Sequence, residues 1–282
     1  MKSGERPKCA RETPYIGCAG WTVSTEGPTP PTSNDAKQES LTACLTIGTA
    51  SEAHKKERKS HLERYSALFS AVEINSSFYR HHLPATYARW RHTVPPDFRF
   101  SVKLPRTVTH ELRLKNCHTE LGKFLEGVGN LEQTLGCLLI QLPPSLGFNA
   151  RVALDFFAML QSGSIASLAL EPRHHEWFEP EVLRLLEQRE IALVHADPQV
   201  GGIAIRNLPQ TAPTAYFRLH GSPSIYRSSY DRDYLESLLQ EIVRQHNQGR
   251  NVWCIFDNTA SGAAFPNALT MDAMWRQYSI KA

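Results

Sequence analysis

Charged and amide side chains stand at the ends of seven of the eight strands that the sequence predicts. Each strand is largely apolar, and a polar group at its end is costly unless it faces a polar cavity. Carboxylates beside fixed cations can transfer protons and bind anions. The strand-end residues are Glu73 with Asn75, Lys103, Gln141, Glu171 with Arg173, Asp197, Arg218 with His220, and Asp257 with Asn258.

Proton transfer needs an acid and a base whose pKa values differ, and we expect Glu73 and Glu171 to supply them. Burial would raise the pKa of one carboxyl group, and a neighbouring arginine would hold the other ionised. His220 and His110 are alternative proton carriers near neutral pH. Asp197 adds a further candidate catalytic carboxylate.

The positive strand-end side chains indicate an anionic ligand, with phosphate as the favoured group. Arginine binds phosphate or carboxylate through two parallel N–H groups, whereas lysine acts as a point charge. Loops near Gly221 and Gly262 would follow the seventh and eighth strands, the usual phosphate-binding position in barrels of βα units. The predicted substrate-binding residues are Asn75, Arg80, Lys103, His110, Gln141, Arg173, Arg218 and Asn258. The alternative is that the charges neutralise each other as buried ion pairs.

A divalent cofactor is an open alternative, and we assign no metal ligand. Carboxylate oxygens that could hold Mg²⁺ or Mn²⁺ belong to Glu73, Glu171, Asp197 and Asp257. The chain has no H-E-x-x-H segment, and His174 and His175 are adjacent rather than spaced along one helix face. Because a G-x-S-x-G turn and a P-loop are also absent, serine-hydrolase and NTPase chemistry are disfavoured.

Strands and helices alternate along the chain, which is typical of parallel βα units. The predicted strands lie within Tyr15–Trp21, Ala71–Asn75, Phe98–Lys103, Cys137–Gln141, Ser167–Glu171, Ile191–Asp197, Ala215–Gly221 and Val252–Asn258. The predicted helices are Leu62–Phe69, Ala85–Arg91, Thr119–Gln133, Arg151–Gln161, Glu179–Arg189, Tyr230–His246 and one from Asn267. Eight such units predict an α/β fold, a (β/α)8 TIM barrel that forms a single domain over residues 1–282. An open doubly wound sheet is disfavoured because no G-x-G-x-x-G turn follows the first strand.

Residues 22–59 interrupt this pattern between the first strand and the first helix. The segment is rich in proline, threonine, serine and glycine, and a strongly charged run from His54 to Lys59 ends it. This composition predicts a flexible surface insertion, with a lid over the site as the functional alternative.

Composition and charge favour a cytoplasmic globular protein without membrane segments. The 282 residues are 41% hydrophobic and 21% charged, and the net charge of +3 is too small to indicate nucleic acid by itself. No run approaches the roughly 18 apolar residues of a membrane span, and Met1–Arg11 lacks the apolar stretch of a secretory signal. The six cysteines form no C-x-x-C pair, which favours reduced thiols over disulfides or a zinc site.

Several segments together resemble the YecE-like family, also called domain of unknown function 72. They are Ile16–Trp21, Val72–Arg80, Phe98–His110, Gln141–Pro144, Glu171–His174 with Trp177, Tyr216–Gly221, and Phe256–Asn258 with Gly262 and Ala268. The resemblance spans most of the chain in the same order. It implies a TIM barrel with a polar pocket at the carboxyl ends of the strands.

The resemblance does not imply a known reaction. The family is similar in fold to metal-dependent sugar isomerases and apurinic-site endonucleases, without a settled activity of its own. This sequence departs from the family pattern at two places. Residues 22–59 replace a shorter segment that contains tryptophan and Tyr-Pro, and Glu171-Pro172-Arg173 replaces the more usual Glu-Phe-Arg.

The leading hypothesis is an enzyme, a hydrolase or an isomerase, that acts on a small phosphate-containing anion by carboxylate acid/base catalysis. The alternative is a non-catalytic nucleic-acid or nucleotide-binding protein, in which Trp21, Tyr79 and Tyr226 would stack on bases. A scaffold role is a third alternative, and ion pairs that close the barrel mouth would support it.

Overall fold

Eight parallel strands form a barrel in the computed structural model, which describes residues 12–21, 59–202 and 207–281. The strands are β1 (Tyr15–Cys18), β2 (Ala71–Ile74), β3 (Arg99–Lys103), β4 (Leu135–Gln141), β5 (Ser167–Glu171), β6 (Ile191–Asp197), β7 (Thr214–Leu219) and β8 (Asn251–Phe256). They are hydrogen-bonded in the order β1-β8-β7-β6-β5-β4-β3-β2. The predicted (β/α)8 barrel is therefore confirmed, and the predicted insertion at residues 22–59 lies outside the described residues apart from Lys59.

Helices follow most strands and cover the outside of the barrel. They are α1 (His61–Ser66), α2 (Pro84–Thr93), α3 (His118–Val128), α4 (Ala150–Gly163), α5 (Pro180–Gln188), α6 (Arg232–Asn247) and α7 (Ala264–Lys281). Local sequence fixes several of their starts. Ser60 and Glu63 form a reciprocal capping box, Asn149 and Asp231 cap α4 and α6, and α2 and α5 begin with proline. Within the described ranges, no helix combines the length and apolar character that crossing a bilayer requires.

A tyrosine hydroxyl joins β1 to β2, the two strands at the ends of the hydrogen-bonded order. Tyr65, from α1, accepts a hydrogen bond of 2.7 Å from the Cys18 amide and donates one of 2.9 Å to the Ala71 carbonyl. Gly17 permits this close approach, because a Cβ atom there would lie 2.0 Å from the Ala71 carbonyl oxygen. The barrel is thus closed at this seam by a side chain.

Alternation along the strands produces two separate cores. One set of residues faces the helices, and the other fills the barrel interior, as in β4, where Leu138 faces outward and Leu139 inward. At the amino-terminal end of the interior, the Trp253 ring stacks on Tyr216 with centroids 5.8 Å apart and contacts Tyr15 at 4.5 Å. The opposite end of the interior carries the charged strand ends.

Several predicted boundaries differ from those in the structure. The segment predicted as one helix to Gln133 is α3 followed by a 3₁₀ helix, Gly129–Thr134, and the last helix begins at Ala264 rather than near Asn267. The predicted loop after β3 contains a π-helical turn, Thr107–Glu111. Four of the cysteines are described, Cys18, Cys117, Cys137 and Cys254, and each is a buried free thiol.

Candidate functional site

Arg218, near the end of β7, is the centre of a buried ion network at the carboxyl-terminal mouth of the barrel. Its Nε atom donates to both carboxylate oxygens of Glu73, at 3.1 and 3.0 Å, and its Nη1 atom donates to Glu171 Oε2 at 3.1 Å. Its Nη2 atom lies 3.0 Å from Asp257 Oδ2 and donates to Asn75 Oδ1 at 3.3 Å. All three guanidinium nitrogens are therefore engaged by groups of the protein.

The His220 ring lies between two carboxylates of the same network. Its Nε2 atom is 2.7 Å from Glu171 Oε1, and its Nδ1 atom is 3.0 Å from Asp257 Oδ2. Burial opposes a charge here, but Glu171 and Asp257 outweigh it and raise the pKa of His220. Arg173 Nη2 lies 2.7 Å from His220 Nε2 and also contacts Glu171. Because a protonated ring has no acceptor, Arg173 bonds to Glu171 when His220 is charged.

Glu171 and Asp257 both have pKa values lowered by their positive neighbours. Burial would raise the pKa of Glu171, but the positive charges of Arg218, His220 and Arg173 hold it well below its usual range. Burial opposes ionisation of Asp257 too, and Arg218 and His220 lower its pKa. These residues form a fixed set of negative charges that hold the positive groups in place.

Tyr216 and Ser101 extend the network toward the barrel interior. The Tyr216 hydroxyl lies 2.8 Å from Glu73 Oε2 and 2.8 Å from Ser101 Oγ. Burial raises the pKa of Tyr216 well above its usual range. The phenol therefore stays protonated and donates a hydrogen bond to Glu73. Neither residue is among the site residues predicted from the sequence, although Tyr216 alternates with Arg218 and Ser101 with Lys103.

Lys103 ends β3 on the inward side and is nearly buried. Its Nζ atom lies 4.1 Å from the centroid of the Phe78 ring. Burial, followed by the charge of Arg218, lowers the pKa of Lys103 to about 8 against the opposing effect of the carboxylates. His110 is half-buried nearby, and burial followed by the charge of Lys103 lowers its pKa. Lys103 and His110 thus form the less tightly paired side of the mouth.

Two of the predicted site residues have structural partners away from this network. Asp197 lies on the helix-facing side of β6, where its carboxylate accepts a hydrogen bond of 2.7 Å from the Tyr230 hydroxyl. Asn258 Nδ2 donates to the Ser228 carbonyl and to Asn267 Oδ1, both at 2.9 Å. These contacts hold the loop after β7 to the start of α7.

Arg80 and Gln141, also predicted as binding residues, lie at the edge of the mouth. Arg80 is exposed in the loop after β2, and Gln141 is half-buried at the end of β4, directly beside Glu171 in the parallel register. The structure thus brings together Glu73, Asn75, Lys103, Glu171, Arg173, Arg218 and His220.

In the loops predicted to bind phosphate, the backbone amides of both glycines already donate hydrogen bonds to other groups of the protein. The Gly221 amide donates to the Tyr230 hydroxyl at 2.8 Å, and the Gly262 amide donates to the Thr259 carbonyl at 3.1 Å. The first turn of α6 is capped by Asp231, whose carboxylate accepts from the Tyr234 amide. These three backbone donors are therefore already engaged within the protein.

One group of side chains within the described residues brings possible metal donors together. Donor atoms of His174, His175 and Glu176 all lie within 4.8 Å of one another, in the loop after β5. The adjacent histidines achieve this because they lie in an extended segment and a 3₁₀ turn, with their rings stacked at 4.4 Å. The carboxylates considered for Mg²⁺ or Mn²⁺, Glu73, Glu171 and Asp257, are paired with Arg218 and His220 instead.

Comparison with curated proteins gives two matches to the UPF0759 protein YecE, in Escherichia coli strain K12 and in Escherichia coli O157:H7. Each is 32% identical over 141 residues, which make up 48% of this chain and 52% of the relative. The matched region thus spans about half the length of these relatives.

Solved structures of similar proteins support the same grouping. A DUF72 family protein from Thermotoga maritima MSB8 matches with a TM-score of 0.67 and 28% identity, over 77% of this chain and 89% of that one. A DUF72 family protein from Enterococcus faecalis V583, at 23% identity and a TM-score of 0.65, covers 76% of this chain and 93% of its own and shares the fold. The profile described as "Protein of unknown function DUF72" matches residues 49–281. This chain therefore belongs to the DUF72 family.

Proposed function

We propose that the chain is a barrel enzyme, a hydrolase or an isomerase, that acts on a small phosphate-containing anion at the carboxyl-terminal mouth. The charge of the mouth network carries this proposal. The carboxylates are Glu73, Glu171 and Asp257, and the groups that can be positive are Arg173, Arg218, Lys103 and His220. When His220 and Lys103 are protonated, four positive groups face three carboxylates, and a negatively charged ligand would be attracted to this mouth.

His220 is the proton donor in this proposal. Burial opposes its charge, but the contacts to Glu171 and Asp257 raise its pKa, so His220 keeps its proton to a higher pH than an ordinary histidine does. The sequence-based hypothesis gave proton transfer to Glu73 and Glu171. The geometry favours a supporting role for both, because Glu73 is held by Arg218 and Tyr216 and Glu171 stays ionised beside His220.

Arg173 and Lys103 are the cations best suited to contact the anion. Arg173 has a side chain that is 19% exposed and lies above the buried Glu171. Lys103 has the Phe78 ring, rather than a carboxylate, as its nearest described partner. Arg218, also predicted to bind the anion, is fully enclosed and saturated by carboxylates, so we assign it to positioning.

Thermal unfolding with a panel of sugar phosphates and their unphosphorylated parents, with and without Mn²⁺, tests the proposal. Ligands that bind the folded state raise the midpoint, so a phosphate should stabilise the protein where its parent does not. Arg173→Gln should abolish this shift, and Arg184→Gln, in the exposed part of α5, should retain it. Equal shifts with parent sugars, or an unchanged shift in Arg173→Gln, would contradict the proposal. Phosphate release or a new isomer in the NMR spectrum would then identify the reaction.

Binding of single-stranded nucleic acid is the second candidate. Tyr79 is 78% exposed and Tyr226 43% exposed, in loops that follow β2 and β7 at the same mouth. Trp21 packs instead against Trp90, with ring centroids 5.0 Å apart. Fluorescence anisotropy with a labelled oligonucleotide should give an affinity that falls steeply with salt and weakens in Tyr79→Ala, because the bases would stack on this ring. An affinity that changes neither with salt nor in Tyr79→Ala would reject this candidate.

A further inference from the structure

Lys103 differs from Arg173, Arg218 and His220 because its amine has no carboxylate partner among the described residues. Among the described residues, no carboxylate oxygen comes within ion-pair distance of Nζ, which lies instead over the Phe78 ring. Lys103 is 8% exposed and is the last residue of β3. Its side chain faces the barrel interior, as that of Ser101 does. A primary amine is thereby held at the mouth without being locked in an ion pair.

The surroundings of Lys103 favour the neutral amine more than water does. Burial is the largest cause of the lowering of its pKa to about 8, and Arg218 adds to it; Glu73, Glu171 and Asp257 act in the opposite direction. At pH 7 about one amine in ten would be neutral, against fewer than about one in a thousand for an ordinary lysine. Neutral amines are nucleophiles, and buried lysines of this kind attack carbonyl groups.

We propose that Lys103 forms a covalent imine with an aldehyde or ketone group of the substrate. This inference rests on the proposed function, and it narrows the substrate to a phosphate-bearing carbonyl compound. The position suits this role because Lys103 is the last residue of β3, and Arg173 lies in the same mouth, on the loop after β5, to bind the anionic group. The nearby carboxylates would stabilise the positive charge of the protonated imine.

The step balances without an oxidant or a reductant. The neutral nitrogen attacks the carbonyl carbon and forms a C–N bond, and one proton passes from nitrogen to the former carbonyl oxygen. The resulting hydroxyl group takes a second proton from an acid in the mouth, for which His220 is the candidate, and leaves as water. The nitrogen lone pair forms the C=N bond, and the product is a protonated imine.

Borohydride trapping with dihydroxyacetone phosphate tests the inference, because reduction converts the imine to a stable secondary amine. Peptide mapping by mass spectrometry should find Lys103 labelled at least about tenfold faster than Lys115 and Lys123, which are exposed. Lys103→Arg keeps a positive charge but has no reactive amine, so it should lose this label alone. Labelling of Lys103 no faster than of the exposed lysines would overturn the inference.

Dihydroxyacetone, which lacks the phosphate, separates this inference from the proposed function. Faster labelling by the phosphate supports both the imine and the anion site. Equal labelling of Lys103 by both compounds supports the reactive amine and contradicts phosphate recognition. A midpoint shift with dihydroxyacetone phosphate, without reducible label at Lys103, supports the anion site and overturns the imine.

Discussion

Arg218 and Glu73 face each other inside the barrel from β7 and β2, strands that are not neighbours in the sheet, and Arg218 Nε bonds both Glu73 oxygens at 3.1 and 3.0 Å. Neither residue has measurable exposure. Removing two charges from water costs several kcal/mol for each, and only complete pairing offsets this. The pair therefore stabilises the mouth only while the rest of the network is intact.

Arg218→Met should destabilise the fold by about 3–5 kcal/mol, because Glu73, Glu171 and Asp257 would lose the buried cation that they share. Urea unfolding measures this change. Arg232→Met is the control, since Arg232 forms an exposed pair with Glu236 and should change the free energy of unfolding by about 1 kcal/mol or less. Similar losses in the two variants would show that the buried network is energetically unimportant.

His220→Gln should change how stability depends on pH. A group whose pKa is raised on folding stabilises the folded state fully below its unfolded value, near 6.5, and this contribution is lost as pH rises through the folded pKa. The difference in unfolding free energy between wild type and variant should thus be largest below about pH 6.5 and shrink as the pH rises above it.

Urea titrations at a series of pH values measure this difference. The comparison stays above about pH 5, since Glu171 and Asp257 have lowered pKa values and lose their contribution as pH falls through them. His118→Gln, in the exposed first turn of α3, controls for loss of an imidazole outside the network. A difference that grows with rising pH would refute the assigned direction.

Gly17→Ala should strongly destabilise the seam between β1 and β2. The new Cβ atom would lie 2.0 Å from the Ala71 carbonyl oxygen, so the strands must separate, at a cost of about 3 kcal/mol or more. Gly122→Ala is the matched control, because no other part of the described chain lies within 4 Å of a Cβ there and helix α3 should gain up to about 1 kcal/mol. Thermal unfolding of both variants checks the contrast, and a tolerated Gly17→Ala would argue against this seam.

Tyr65→Phe should cost about 1–3 kcal/mol, because the Cys18 amide and the Ala71 carbonyl would lose the hydroxyl that joins them. Amide hydrogen exchange of β1 should accelerate as the seam loosens. Tyr87→Phe removes a hydroxyl for which the described residues provide no hydrogen-bond partner, and its effect should be smaller. Exchange in β1 that is unaffected by Tyr65→Phe would count against the bridge.

The sequence predicts which strands meet, and on most strands also which side chains face inward. On β7 the alternation of Tyr216, Arg218 and His220 predicts that these three side chains face inward, and they do so in the structure. On β6 both faces are apolar, since Leu193 faces the helices and Val194 the interior. The strand pattern therefore could not determine that Asp197 lies on the helix-facing side.

The partners of each charge could not be predicted in the same way. Whether Arg218 is free for a ligand or enclosed by carboxylates depends on ångström distances between strands that are far apart in sequence. The π-helical turn after β3 could not be predicted from the sequence either. The residues that follow it, Arg113 and Leu114, adopt positive φ angles of 52° and 67°, and no glycine at these positions indicates such a conformation.

The Trp253 ring, held between Tyr15 and Tyr216, closes the amino-terminal end of the barrel. Gly136 gives this ring its room, because a Cβ atom there would lie 2.6 Å from Trp253 Cζ2. The barrel interior is consequently filled at this end, and a ligand can approach it only from the carboxyl-terminal mouth. A ligand that reaches Lys103 or His220 must therefore leave through the same opening by which it entered. Release of one ligand thus has to precede binding of the next.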